Sequence, residues 1–300
     1  MPTPILYHYD LSPFSEKIRL MFGYTGLAWQ SVTVSPMPPR PELDVLAGGY
    51  RKIPVMQIGA DVYCDTRTIA AELARLAGKP ELAIENCSAE AQAFAHEIEA
   101  QLFTALVVSS GGRLMGAVLR RTSLLTTLRF VKDRVGFAMK ARTPRIAPRQ
   151  GRLLIQQHLA ATEQRLTADF LFGDTPCAAD FTAAFYFWFA CEVIGHEWLA
   201  QAPKLQGWYQ RMQAYGHGNP ERLTADQALD LARSAGPAGI SSGQLDTPVA
   251  ASVEPSDYAR DPTAGRLIAE TETRWVLQRE HPRVGTVHVH FPRGGYRLRR

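Results

Sequence analysis

Cysteine is scarce and scattered in this chain of 300 residues: Cys64, Cys87, Cys177 and Cys191 are all there is, and no two form a Cys-x-x-Cys pair. That spacing argues against a disulfide framework and against a structural zinc site. Long apolar runs are missing as well. The densest, Phe181 to Ile194, is interrupted by Glu192 and is too short to cross a bilayer. The N-terminus has no basic region followed by an apolar stretch, which argues against a signal peptide, so a cytoplasmic protein without a membrane span is expected. Acidic residues are almost absent from one segment. Between Arg113 and Arg152 eleven basic side chains stand against Asp133 alone, a local surplus of ten within a net charge of +4, which leaves the remainder near −6.

What is present describes a globular chain: 46% hydrophobic and 21% charged residues, at a length that exceeds one ordinary core. Two domains with an appendage are expected. The first eighty residues alternate strand and helix signals, with strands over Ile5 to Tyr9 and Ala28 to Val34, and a helix from Pro13 to Tyr24. A Pro-rich loop follows, then a hairpin in which Gly59-Ala60-Asp61 joins Pro54–Ile58 to Val62–Cys64. Thr66 is expected to cap a helix that runs through Ala77. After Pro80 helical spacing takes over, in Ala89–Val108, Leu114–Lys140, Gly151–Phe170, Ala178–Val193, Pro203–Tyr215 and Leu223–Ser234. Small, turn-forming residues from Ala235 to Ala251 read as a linker, and strands follow at 274–279 and 285–291, with 296–298 as a third candidate. The expected organisation is therefore α/β over 1–80, all-α over 87–235 and a β-rich extension over 250–300. Forty residues of β structure cannot bury a core alone, so the extension should dock on the helical domain or on a partner subunit.

The segment Ser12-Pro13-Phe14-Ser15 carries the chemical signal. Ser12 suits a helix N-cap and Pro13 the first helical position. A hydroxyl at such a strand-to-helix turn stands beside unpaired N–H groups and the positive end of the helix dipole, where a thiolate can be held. Capping alone explains most Ser-Pro steps. Three further motifs add to it: Lys52-Ile53-Pro54-Val55, Asp65-Thr66 followed by Ile69, and Gly173-Asp174-Thr175-Pro176-Cys177-Ala178-Ala179-Asp180. In this order the four motifs resemble the cytosolic glutathione S-transferases over roughly residues 4 to 220.

The resemblance implies a thioredoxin-like N-terminal domain, a helical transferase-type domain and a homodimer. It implies that Ser12 holds the thiolate of glutathione, the co-substrate, for attack on a small electrophile; families that use tyrosine place it nearer Tyr7 or Tyr9. It implies that Pro54 is cis, so that the backbone of Ile53 pairs with the cysteinyl part of the peptide, and that Asp65 takes the γ-glutamyl ammonium and Thr66 its carboxylate. Lys52 or Arg40 would take the glycyl carboxylate. Two departures stand out: Gly48-Gly49 occupies the place of the usual Asn-Pro, and Cys177 that of a Ser or Thr cap. The alternatives are a non-catalytic binding or regulatory protein and an isomerase or dehalogenase of the same fold.

Two features stay outside that frame. The basic stretch reads as a solvated helix face, as an anion-attracting wall of the substrate cleft, or as a surface for macromolecules; sparse aromatics disfavour single-stranded nucleic acid. His288 and His290 share a strand face, but with no third ligand in view they read as ordinary strand histidines and no metal is expected.

Overall fold

The structure is a computed structural model that describes residues 2–121, 146–240 and 242–300. Its strands are β1 (Ile5–His8), β2 (Gln30–Thr33), β3 (Val55–Ile58), β4 (Asp61–Cys64), β5 (Glu221–Arg222), β6 (Gln244–Pro255), β7 (Thr263–Glu270), β8 (Arg274–His281), β9 (Gly285–Pro292) and β10 (Tyr296–Arg299). All belong to one ten-stranded sheet, ordered β10-β6-β7-β8-β9-β4-β3-β1-β2-β5. The helices are α1 (Pro13–Thr25), α2 (Pro41–Ala47), α3 (Thr66–Ala77), α4 (Ala89–Glu97), α5 (Phe103–Ser109), α6 (Gly111–Arg121), α7 (Pro148–Arg165), α8 (Ala178–Trp188), α9 (Pro203–Ala214) and α10 (Ala225–Ala235). The thioredoxin-like layer, the helical domain and the β-rich tail follow the expected order.

Side-chain alternation along β1 decides which layer each face meets. Leu6 points into one core with Ile18 and Phe22 of α1, Ile69 of α3 and the helical domain. Ile5 and Tyr7 point into a second core with Leu43 and Leu46 of α2 and Ala228 and Ala232 of α10. Helices on both faces leave the strand no exposed side, hence its continuous apolar run.

The extension does not dock where expected. β9 pairs in parallel with β4, matching Asp61 to His288, Val62 to Val289 and Tyr63 to His290. Val287, Val289 and Phe291 are fully buried in the same core as Val62, Cys64 and Tyr50. The free edge of the N-terminal sheet was the surface able to satisfy both backbone and side chains at once. The linker expected over 235–251 is also corrected: from Gln244 it is β6, whose low-propensity residues are held by pairing with β7 across a bulge between Gln244 and Val249. The helix expected from Gly151 starts at Pro148, where proline fits the first turn. It ends at Arg165, and Phe170 instead forms a bridge to Gly173. The helix expected over Leu114–Lys140 begins as α6, and its remainder lies outside the described residues, as do Arg129, Lys132, Arg134, Lys140, Arg142 and Arg145 of the basic stretch.

Asp180 reaches back to the start of α8, as its position three residues after Cys177 predicts, with Oδ2 accepting from the Cys177 N–H at 3.0 Å. Its Oδ1 also accepts from the Leu171 N–H at 2.9 Å and from Trp208 Nε1 at 2.9 Å, all in the interior. Asp180→Ala would leave three buried donors unpaired and should lower stability by about 3 kcal/mol or more in urea denaturation. Asn, with one acceptor oxygen, should recover part of that loss.

Candidate functional site

Strand register gathers the candidate residues at one end of the sheet. Tyr7 of β1 lies opposite Val55 of β3, and Val55 opposite Cys64 of β4. The turn leading to Ser12, the Ile53-Pro54 step and Asp65 therefore emerge side by side. The helices α1 and α3 pack against one core, and both start at this end, bringing two sets of unpaired N–H groups together.

Ser12 caps α1, its Oγ accepting from the Ser15 N–H at 3.2 Å. Among the described residues the hydroxyl proton has no acceptor, so it is free to donate, yet the residue is only 1% exposed. Ser15 Oγ, in the same turn, is buried and without a partner. Tyr7 is excluded from a thiol-directed role by its position: it faces the second core, and its hydroxyl donates to Gln57 Oε1 at 2.6 Å.

A buried polar cluster fixes the turn before α1. Arg19 donates to Glu16 Oε2 through Nε and Nη2, at 3.0 and 2.6 Å, and through the same guanidinium to the carbonyls of Tyr9 and Asp10. It also meets His8 Nδ1 at 3.1 Å, and His8 Nε2 meets Ser31 Oγ at 2.8 Å. Because Arg19 only donates, Nδ1 accepts and Nε2 carries the proton. Burial, aided by the Arg19 charge, pulls His8 down to about 4. Burial would raise Glu16, but the hydrogen bond from His217 and the Arg19 charge outweigh it and hold the carboxyl below its ordinary value. In the sequence Glu16 and Arg19 look like a surface i, i+3 pair, and nothing local marks them as interior.

Ile53-Pro54 is cis, as the resemblance implies. Asp65, not Thr66, caps α3, because its Oδ1 accepts from the Arg67 N–H at 3.0 Å; Thr66 is the first helical residue. Asp65 sits at φ 78°, a region that a non-glycine residue occupies only when its surroundings enforce it.

The second oxygen of that carboxylate faces the extension. Tyr296 donates its hydroxyl to Asp65 Oδ2 at 2.9 Å and shares a 3.0 Å hydrogen bond with the Tyr50 hydroxyl. Lys52 Nζ lies 2.8 and 3.0 Å from the two carboxylate oxygens of Asp257, and 4.3 Å from the centre of the Tyr258 ring. Burial would lower the Lys52 pKa, but the facing Tyr258, Asp65 and Asp257 prevail and raise it, keeping the ammonium charged. Lys52 and Asp65 thus do come together. Arg40 stays apart: it donates to the carbonyls of Ser35, Pro36 and Arg51 and closes the Pro-rich loop.

Gly48-Gly49 gains an explanation at the same place. A Cβ on Gly48 would meet the Arg279 guanidinium at 3.0 Å, and one on Gly49 the Pro262 carbonyl oxygen at 2.9 Å. The two residues lack side chains where the extension approaches the backbone.

Arg113, Arg120 and Arg152 of the basic stretch border an open cleft of about 1450 Å³ in the helical domain, together with Glu163 and His196. That cleft shares no lining residue with Ser12, Lys52 or Asp65. Phe103 packs half-buried against Phe14 and Phe185, and Tyr186 is buried against Phe187 and Trp198.

Residues 6–81 match the family profile "Glutathione S-transferase, N-terminal domain" and residues 141–211 "Glutathione S-transferase, C-terminal domain". A GST-like protein from Pseudomonas syringae is similar over 100% of this chain and 100% of its own, with 29% identity and a TM-score of 0.78. That likeness runs through the extension. A glutathione S-transferase from Sinorhizobium meliloti 1021, 21% identical, aligns over 71% of this chain and 88% of its own with a TM-score of 0.50, a likeness of fold. No curated protein matches the chain.

His8 and His158, each lowered to about 4 chiefly by burial, give the fold a pH dependence of definite sign. The unfolded chain binds protons at both below about pH 6.5, whereas the folded chain does not until about pH 4. Stability should therefore fall as pH drops through that window, by roughly 2 kcal/mol per histidine at pH 5. Thermal unfolding at pH 7 and pH 5 measures it, and His158→Phe, with nothing to protonate there, should show the shallower fall.

Proposed function

The chain belongs to the glutathione S-transferase superfamily, and we propose that it is a glutathione-dependent transferase whose thiol site lies at the joint N-termini of α1 and α3. The observation that carries this reading is the convergence of Ser12, the Ile53-Pro54 step and Asp65-Thr66 on one sheet end, with an unused hydroxyl proton on Ser12. In this reading the backbone of Ile53 pairs with the cysteinyl residue, Asp65 and Thr66 hold the γ-glutamyl end, and Lys52 the glycyl carboxylate. Arg40 has no part in it, since its guanidinium is committed to three carbonyls.

The chemistry follows from charge. The thiol loses its proton to solvent, and the thiolate accepts a hydrogen bond from the Ser12 hydroxyl in the positive field of α1. The sulfur pair then forms a bond to an electrophilic carbon, and the leaving group departs with its own pair. A serine cannot form a mixed disulfide, so addition or displacement is favoured over thiol exchange.

One observation favours a second reading, a binding protein without transferase activity: Ser12 is nearly inaccessible, and Lys52 and Asp65 already have partners. A homodimer in the cytoplasm belongs to the first reading, and light scattering checks the dimer.

Calorimetric titration with glutathione, followed by ultraviolet absorbance of the bound thiolate, separates the two. Transferase chemistry predicts thiolate absorbance in the wild type and, in Ser12→Ala, retained binding with that absorbance lost. Binding without thiolate absorbance in the wild type favours the second reading. Absence of binding both in the wild type and in a chain relieved of the Asp257 and Tyr296 contacts overturns both.

A further inference from the structure

We propose that the C-terminal extension is a built-in occupant of the peptide site, with Asp257 at Lys52 in place of a ligand carboxylate and the Tyr296 hydroxyl at Asp65 in place of a ligand ammonium. The inference rests on the glutathione reading above and names how that site is regulated. Its basis is a match of chemistry as well as position. A cationic group expected to take a carboxylate holds one, at 2.8 Å, and an anionic group expected to take an N–H donor holds an O–H donor, at 2.9 Å. Both partners come from one appendage, 205 and 231 residues away in sequence, at the sheet end where α1 and α3 begin.

These contacts are not needed to hold the extension in place. Docking is secured by the β4–β9 ladder, by Arg279 donating to the Leu46 carbonyl at 2.9 Å and by Thr263 Oγ1 donating to the Ala47 carbonyl at 2.7 Å. Asp257 and Tyr296 lie beyond those anchors and differ from each other. Asp257 sits in the loop between β6 and β7 with its side chain 43% exposed, and the neighbouring Arg51–Asp261 pair is a loose 3.7 Å. Lys52 is the buried partner, its side chain 14% exposed, so the pair opens from the Asp257 side, where the carboxylate can move into solvent while the ammonium stays in the site. Tyr296 is buried, its ring beside Phe291 and Tyr50. The site therefore has a withdrawable arm at Lys52 and a fixed competitor at Asp65. Glutathione binds by displacing the Asp257 loop and by replacing one hydrogen bond at Asp65. Its apparent affinity scales with the fraction of molecules in which both contacts are open.

Titration of full-length wild type, Asp257→Ala, Tyr296→Phe and the double variant with glutathione tests this, with near-ultraviolet circular dichroism establishing that each variant keeps the native packing. Tyr296→Phe keeps the ring and removes only the hydroxyl, and Asp257 is a loop residue, so the fold should survive both. The expected result is tighter binding in each single variant and a gain of about tenfold or more in the double variant. Equal binding by all four proteins overturns the inference and leaves the glutathione reading standing. Weaker binding in the variants also overturns it, because the two side chains would then be part of the binding machinery. No binding by any natively packed variant overturns the inference and the glutathione reading together.

Discussion

The parallel pairing of β9 with β4 is the contact on which the rest of this architecture depends. Without it β4 would present a row of unpaired N–H and C=O groups at the sheet edge, and the extension would expose Val287, Val289 and Phe291. With it, nine of the ten strands share one core on the α2 face, β5 being exposed, and one free edge moves out to β10, which carries Arg297 and Arg299. The seam has its own polar lock on the opposite face. Asp61, nearly buried, faces His290 Nε2 at 2.9 Å and accepts from the Ala238 N–H at 2.7 Å. Burial lowers the His290 pKa, so the imidazole stays neutral, donates Nε2–H to the carboxylate and stacks 4.5 Å from Tyr63. β9 places its apolar side chains on one face and His288 and His290 on the other, and pairing with β4 covers both faces.

The seam also sets what happens at the end of the sheet. Because β9 runs parallel to β4, its C-terminal end emerges next to Asp65, and the short turn into β10 delivers Tyr296 there. An antiparallel addition would have sent that turn to the opposite end. The sequence of α2 and its exit fits the arrival: glycines at 48 and 49 keep the backbone bare where Arg279 and Pro262 press against it. What looks like the loss of a loop-defining Asn-Pro is thus a gain of contact surface.

Ser12 illustrates how a cap and a chemical group share one atom. The Oγ lone pairs serve the Ser15 N–H, while the hydroxyl proton, unused, points to donor chemistry. Arg19, tied to the carbonyls of Tyr9 and Asp10 on one side and to Glu16 on the other, holds the turn so that this geometry is set before any ligand arrives. Preorganisation of that kind is bought with a dense, buried charge cluster in the first two turns of α1.

The order of elements and the motifs themselves were legible because they are local: the apolar run of Ile5–Tyr9, Pro13 at a helix start, and Asp180 three residues from Cys177 each act within a few positions. The interior status of Glu16 and Arg19 was not, since an i, i+3 charge pair reads the same on a surface as in a core. The partners of Lys52 and Asp65 were hidden for a deeper reason. Motif reading identifies what chemistry a residue can attract, and a lysine ammonium or an aspartate carboxylate attracts the same groups whether they come from a diffusing peptide or from the same chain. A tethered carboxylate competes at an effective concentration that a free ligand must match. Asp257 and Tyr296 lie in stretches that, read locally, are only a turn and a short strand, and only the parallel register of β9 gives them a destination. The same residues that mark this sheet end as a binding site therefore also explain why its own extension settles there.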